Sequence, residues 1–385
     1  MNEQGAYYVF DCRALQQRVE YLKKLLGENI ALAYAIKANP FVVKALTPLV
    51  ERLEICSPGE SRICDRVGVA PEKTVISGVY KTPAFIEELV ATTDGRIYTV
   101  ESLTQFRLLR QLSETYGKRL PVLLRLTNDS QFGINAEDIE AIVRDRADCP
   151  GLDILGIQYF SGTQKTSLKK LKREIDRLDA LLVKLQQDYG FTARELEYGP
   201  GFPVAYYKEE TLDEEALLDG FAQLLTQMRF SGHVTLELGR SIAACCGKYF
   251  TRVVDLKHNR GQNYLLVDGG MHQIVYFGQY MGMKHPILTV PGKESEAARD
   301  TWNICGSLCS MNDILAKAVP LPEMAIGDTL CFHNTGAYCM TEGISLFLSR
   351  DIPEVYLIRE NGARVRVRRR FETDPLNTPA PEGNG

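Results

Sequence analysis

The chain has little with which to cross-link itself or bind metal. Its ten cysteines form no CxxC and no paired Cys/His spacing; Cys245 and Cys246 are adjacent, and Cys305 and Cys309 lie four apart. That excludes a disulfide framework and a zinc site and suits reduced thiols, so a cytoplasmic location is expected. The five histidines form no HExxH or HxxxH, and no metal is expected. No apolar run approaches the length of a membrane span, and Met1-Asn2-Glu3-Gln4-Gly5 lacks the basic and apolar regions of a secretory signal. Net charge is only -4, which gives no general reason to expect nucleic acid or an anionic membrane as partner.

What the chain does have is an ordinary core composition, 45% hydrophobic and 24% charged, over 385 residues. That length suits two domains, or one barrel with an addition. Apolar strands are expected near 30–36, 52–56, 74–79, 96–100, 121–126, 152–160, 195–198 and 233–237, with helices such as 42–50, 83–92, 104–116 and 136–146 between them. Eight such alternations predict an α/β fold of the (β/α)8 TIM-barrel type over residues 13–240. The clearest helix is 167–189, where Leu168, Leu171, Ile175, Leu178, Leu182 and Leu185 step by three and four. Barely three heptads are present, so an outer barrel helix is expected there rather than a coiled coil. After Arg240 the pattern turns to strand-like runs at 250–257, 263–267, 329–332, 354–358 and 364–370. They predict an all-β domain over 241–372 that residues 1–12 join through the strand at 6–10, followed by a disordered tail over 373–385. Arg364, Arg366 and Arg368 alternate with Val365 and Val367, the pattern of an edge strand with a solvent-facing row; a nucleic-acid patch is the alternative.

In a barrel, chemistry collects at the carboxyl ends of the strands. The apolar run 30–36 ends on Lys37, with Asn39-Pro40 breaking the chain straight afterwards. An ammonium with apolar neighbours is costly to bury, so its pKa is expected to fall toward neutrality, where an amine condenses with an aldehyde. Snorkelling to the surface is the competing fate. Arg125, Phe160-Ser161-Gly162-Thr163-Gln164, Gly199-Pro200-Gly201 and Glu237-Leu238-Gly239-Arg240 fall at later strand ends. Two glycine-bearing loops bring backbone N–H groups near an anion, although Pro200 removes one donor and such a triplet is commonly only a turn. Glu237 needs a cationic or N–H partner: either Arg240 as an internal ion pair, or a protonated ring nitrogen while Arg240 takes a phosphate. An amine, an anion cradle and a carboxylate for a ring nitrogen together describe a pyridoxal phosphate site.

These motifs resemble the fold-type III pyridoxal phosphate decarboxylases, the group of diaminopimelate and ornithine decarboxylases, whose barrel is shared with alanine racemase. The matches span about residues 6–350: Tyr-Ala-Ile-Lys-Ala-Asn (34–39), Ser-Pro-Gly-Glu (57–60), Phe-Gly-Ile (132–134), Gly-Thr-Gln (162–164), Glu-Leu-Gly-Arg (237–240), Val-Asp-Gly-Gly-Met (267–271), Cys-Gly-Ser-Leu-Cys (305–309) and Gly-Ala-Tyr (336–338). The resemblance implies that Lys37 forms the Schiff base and Glu237 pairs the pyridine nitrogen. It implies that Thr163, Gly201, Arg240 and Tyr338 hold the phosphate, with Gly199 also cofactor-binding and Arg125 and Phe160 near the ring. Asp268, with His272, Ser310 and Tyr338, would face the substrate. Cys309 of the partner subunit would reprotonate the carbanion, making a homodimer with shared active sites the functional unit. The alternative for Cys309 is a small buried hydrophobe, and Cys305, Cys245 and Cys246 are expected to serve packing.

Two departures bear on the substrate. Phe160 stands where many relatives place a histidine, so it can stack on the ring but cannot donate to it. Ser310 stands where ornithine and diaminopimelate enzymes carry an acid, which argues against a free diamino acid. Gly-Thr-Gln and Val-Asp-Gly-Gly-Met-His are similar to a subgroup that decarboxylates a glutamyl group on an acyl-carrier protein, in butirosin biosynthesis. The expected function is therefore decarboxylation of an amino acid or derivative, free or carrier-bound, as in secondary metabolism. A racemase or epimerase on the same barrel, and a non-catalytic pyridoxal phosphate-binding protein, are the alternatives.

Overall fold

A computed structural model describes residues 5–276 and 282–380. The chain divides into two compact units, one of Gln16–Pro203 with Asp213–Ile242, the other of Met1–Leu15, Val204–Leu212 and Ala243–Gly385.

After β1 (Tyr7–Asp11), eight strands run through the first unit: β2 (Ile30–Ala35), β3 (Arg52–Ile55), β4 (Thr74–Ile76), β5 (Ile97–Val100), β6 (Leu120–Arg125), β7 (Leu152–Phe160), β8 (Glu195–Gly199) and β9 (His233–Leu238). They form a closed parallel barrel in sequence order, sealed where Leu32 of β2 pairs with Leu236 of β9. This is the expected (β/α)8 barrel. Strand β7 and the helix Pro83–Thr92 have the expected bounds, whereas the helix expected over 42–50 is only Val43–Leu46 after the 3-10 turn Pro40–Val42. The long helix Leu168–Tyr189 buries Leu171, Ile175, Leu178, Leu182 and Leu185 and ends on Gly190 with φ 60°, a left-handed cap that suits glycine. Tyr198 of β8 stacks toward Phe221 of the helix Glu214–Thr226, so the even positions of β8 face the helices and Glu195 and Glu197 face inward.

The second unit is a mixed sheet. Strands β10 (Gly247–Asn259), β11 (Gln262–Val267), β12 (Leu288–Thr289), β13 (Asp300–Cys305), β14 (Ile314–Leu321), β15 (Thr329–His333), β16 (Glu354–Ile358) and β17 (Arg364–Arg368) join β1. The order is β14-β13-β11-β10-β1-β16-β17, with β15 on β10 and β12 on β15. The N-terminal strand lies between β10 and β16. Residues 204–212, placed with the barrel by sequence, group with this unit because Lys208 N donates to His285 O (2.9 Å) and Ile287 N to Tyr206 O (3.1 Å). Strand β17 is an edge, but its arginines are not a bare solvent row. Arg364 lies over the rings of Tyr356 and Tyr7 (4.1 and 5.0 Å), and Arg366 pairs with Glu354 at 2.8 Å. Part of the segment read as a disordered tail has structure: Asp374–Asn377 form one helical turn, and Thr373 is buried with its hydroxyl on Arg350 O. The last five residues of that tail lie outside the described residues.

Candidate active site

Lys37 sits on a single 3-10 turn, Ile36–Ala38, directly after β2. Asn39 ends that turn and opens the next by accepting from Phe41 N through Oδ1 (3.0 Å), so Asn39-Pro40 fixes where the lysine emerges. Its surroundings differ from the apolar ones expected. Lys37 Nζ lies 2.6 Å from Glu54 Oε2 and 3.9 Å from Glu237 Oε1, and the side chain is 40% exposed. The run 30–36 packs tightly, but the lysine beyond it meets two carboxylates, because β3 and β9 flank β2 on either side. Glu54 and Glu237 lie against one another and separate in acidity. Burial opposes the Glu54 charge, yet Lys37 outweighs it and the carboxyl is lowered, whereas burial and then the Glu54 charge raise Glu237 to about 7. Gln158 Nε2 donates to Glu237 Oε2 at 2.8 Å.

Two of the family-like motifs, at 57–60 and 132–134, have local structural causes. Ser57 Oγ caps Glu60 N, Pro58 takes the first helical position, and Glu60 Oε2 accepts from Cys56 N at 2.6 Å; these fix the helix Pro58–Val67 against the end of β3. Gly133 has φ +77°, and a Cβ there would meet Leu126 C and Thr127 N at 2.7 Å. Only glycine lets Ile134 N reach Arg125 O (2.8 Å), which places the Phe132 ring 4.9 Å from the Arg125 guanidinium. Arg125 Nη1 donates to Glu101 Oε2 at 2.8 Å, and its buried Nε has no hydrogen-bond partner among the described residues.

The two glycine loops pack backbone against backbone. Gly201 has φ +67°, and a Cβ there would overlap Gly162 O; Lys165 N donates to Gly201 O at 3.0 Å. Gly199 leaves room for the Phe160 ring, which a Cβ would approach to 2.7 Å. Arg240 Nε reaches Thr163 Oγ1 at 3.4 Å. Arg240 therefore faces the glycine loop, and Lys37 is the cation beside Glu237.

The remaining candidates belong to the β unit. Asp313 joins its two glycine motifs: Oδ1 accepts from Met271 N (2.8 Å) and Oδ2 from Leu308 N (2.7 Å), while Ser307 N donates to Gly269 O (2.7 Å). Gly270 and Gly306 are small because a Cβ on either would press into the Asp313 carboxylate. Cys309 is exposed on this loop, and Ser310 Oγ accepts from Asn312 N at 3.2 Å. Asp268 is engaged by Thr251 Oγ1 (2.7 Å) and Arg252 N (2.9 Å), and with His272 it lines a cavity of about 540 Å³ that also takes in Ser349, Arg350 and Arg370. Burial and then the Arg350 charge lower His272 to about 4, so the ring is neutral at pH 7. Tyr338 has φ 64°, and its carbonyl accepts from Thr341 N and Glu342 N. None of the ten cysteines forms a disulfide among the described residues.

Residues 12–244 match the family model described as pyridoxal-dependent decarboxylase, pyridoxal binding domain. The chain belongs to that family. It is 26% identical to diaminopimelate decarboxylase of Aquifex aeolicus over 97% of this chain and 91% of the relative. It is 25% identical to L-glutamyl-[BtrI acyl-carrier protein] decarboxylase of Niallia circulans, over 96% and 92%. Among solved structures, diaminopimelate decarboxylase from M. jannaschii in co-complex with L-lysine has the same fold, with TM-score 0.86 at 20% identity, covering 97% of this chain and 92% of that one.

The rim of this decarboxylase barrel fits the cofactor that the family implies, pyridoxal phosphate. It offers an amine, a carboxylate within 4 Å of it, open space beside Gly162 in the glycine loop, and a buried arginine nitrogen with no hydrogen-bond partner among the described residues. Sequence reasoning missed Glu54, Lys81, Glu101, Gln158 and Glu197, all buried in the barrel, and Asp313 in the β unit. A signal for three of them was present: Glu54 interrupts Leu53 and Ile55, Gln158 interrupts Ile157 and Tyr159, and Glu197 interrupts Leu196 and Tyr198. A polar residue inside a run read as a fully buried strand must face either partners or a ligand.

Proposed function

We propose that the protein decarboxylates an amino acid or amino-acid derivative with pyridoxal phosphate, as a homodimer. The observation that carries this reading is the convergence of Lys37 with Glu237 at 3.9 Å, on the rim that also holds the Gly162/Gly201 loops and Arg240. When bound, pyridoxal phosphate supplies an aldehyde for amines and a ring that accepts the electrons released with carbon dioxide. Lys37 Nζ is the amine that holds the cofactor. Glu237 keeps a proton on the ring nitrogen, Thr163, Gly201 and Arg240 hold the phosphate, and Arg125 and Phe160 border the ring. Tyr338 and Gly199 complete the phosphate and ring contacts. Cys309 of the partner subunit delivers a proton to the substrate carbon after carbon dioxide leaves, a role that its exposure in the single chain supports.

The substrate reading follows from neutral side chains. Ser310 offers no anion where the diamino-acid enzymes carry an acid, His272 beside Asp268 is neutral, and Asp268 is engaged through Oδ1 by Thr251 and Arg252; the missing acid at 310 favours a masked or carrier-bound amino acid over a free diamino acid. One of the two relatives named above acts on a carrier-bound glutamyl group. Borohydride reduction followed by peptide mapping tests the cofactor's anchor; the expected pyridoxyl tag is on Lys37, and an untagged Lys37 ends the proposal. Product analysis in deuterium oxide separates the chemistries. Carbon dioxide release with one deuterium in the product is expected, and label exchange without carbon loss would mean a racemase. Supplying the same amino acid free and tethered to a carrier protein decides presentation, with turnover of the tethered form expected.

A further inference from the structure

Glu195 and Glu197 both face into the barrel from β8, and their company differs. Glu195 pairs with Arg52 and accepts from Thr235 Oγ1 at 3.0 Å. Glu197 is completely buried, and neither of its carboxylate oxygens has a hydrogen-bond partner among the described residues. An ionised carboxylate so placed has lost water and gained nothing, at a cost of several kcal/mol in general. As the neutral acid the same group is an O–H donor that needs one acceptor. A matching acceptor lies on the next strand. Gln158 is completely buried, its Oε1 also lacks a partner, and its Nε2 donates to Glu237 Oε2 at 2.8 Å. Gln158 and Glu197 are register partners across β7 and β8, so their side chains leave neighbouring backbones, about 5 Å apart, on the same face.

We propose that Glu197 is a positioning residue, held as the neutral acid, whose O–H donates to Gln158 Oε1 and so fixes the Gln158 amide with its NH2 group on Glu237. The reversed amide would set two acceptors against each other at Glu237 and leave the Glu197 proton without an acceptor. The charged groups that face Glu197 are Glu237, Glu195 and Glu54, with Arg52 the opposing cation; burial first, and then these carboxylates, hold the Glu197 carboxyl well above the usual range. Through Gln158, Glu197 keeps a neutral donor on Glu237 Oε2, while Oε1 of Glu237 faces Lys37. The consequence for the cofactor rests on the reading of Glu237 as the ring-nitrogen partner.

Infrared spectroscopy of the purified holoprotein tests the protonation. A protonated-carboxyl stretch that persists across the neutral range and vanishes in Glu197→Gln is expected; no such band, or one that titrates near neutrality, overturns the proposal. The relay is tested by titrating the bound cofactor's absorbance. Glu197→Gln keeps a donor and keeps the wild-type titration, whereas Glu197→Leu shifts it and weakens cofactor retention about 5- to 10-fold, the loss of one buried hydrogen bond. Gln158→Met, which removes the same link from the other end, produces the same shift and stands in if Glu197→Leu does not fold. A folded Glu197→Leu or Gln158→Met with the wild-type titration overturns the relay. A wild-type protein with no cofactor absorbance fails the functional reading instead, and the infrared band still decides the state of Glu197.

Discussion

At the scale of single residues, the site separates groups by what each must do with a proton. Lys37→Ala is expected to abolish the cofactor's absorbance and the borohydride tag. Cys309→Ala keeps both and slows turnover by about 10²–10⁴-fold, the usual contribution of a positioned general acid. Cys309→Ala with full activity would remove the thiol from the reaction. The Glu54–Glu237 pair predicts a pH signature in the cofactor-free protein. Glu237 is raised from 4.5 to about 7 in the folded chain, so the folded state holds a proton that the unfolded chain has released. The stability this gives is complete below 4.5 and is lost as pH rises through 7. Glu54 is lowered, so its contribution has the opposite sign, present above its ordinary range and lost as pH falls. Thermal midpoints of wild type against Glu237→Gln between pH 4.5 and 7 should show a falling component that the variant lacks; parallel curves would refute it.

At the scale of elements, the glycine loops are where backbone geometry and chemistry meet. Gly201→Ala is expected to destabilise the protein by about 1–3 kcal/mol through its positive φ alone. It should also empty the site of cofactor, since the added Cβ has the Gly162 carbonyl in its path. A melting curve with an absorbance spectrum checks both, and an alanine variant with normal cofactor content would mean that the loops do not form the cradle. Legibility follows the same division. The barrel could be read because parallel strands buried on both faces are near-continuous apolar runs, such as 152–160. The rim could be read where a motif marks a strand end, as at Lys37 and Glu237. The partners of those residues could not, because Glu54 and Gln158 gain their meaning only when β3 and β7 are brought beside β2 and β9. Strands β12, β13 and β14 were missed for a different reason. In Asp300–Cys305 the alternation of Trp302 and Ile304 with Thr301 and Asn303 spans only four residues, too short a run to stand out, and Ile314–Leu321 carries Pro320 and Ala318 at φ 51°, which interrupt its period of two.

At the scale of the whole molecule, the residues of the candidate site divide between the two units. Lys37, Glu54 and Glu237 belong to the barrel, and Cys309, Ser310 and Asp268 to the β unit. If each site takes Lys37 from one chain and Cys309 from its partner, two inactive variants must complement each other. In a mixed dimer of Lys37→Ala with Cys309→Ala, one site receives both substitutions and the other receives neither. Random exchange makes about half of the dimers mixed, and half of their sites are native, so about a quarter of wild-type activity should return on mixing. Each variant alone stays near its own residual rate, and a dilution series should show the recovered activity to depend on subunit exchange. A mixture no more active than the sum of its parts, with exchange demonstrated by a tagged subunit, would place Lys37 and Cys309 in the same chain's site. The shared homodimeric site would then be wrong even with the cofactor anchored on Lys37.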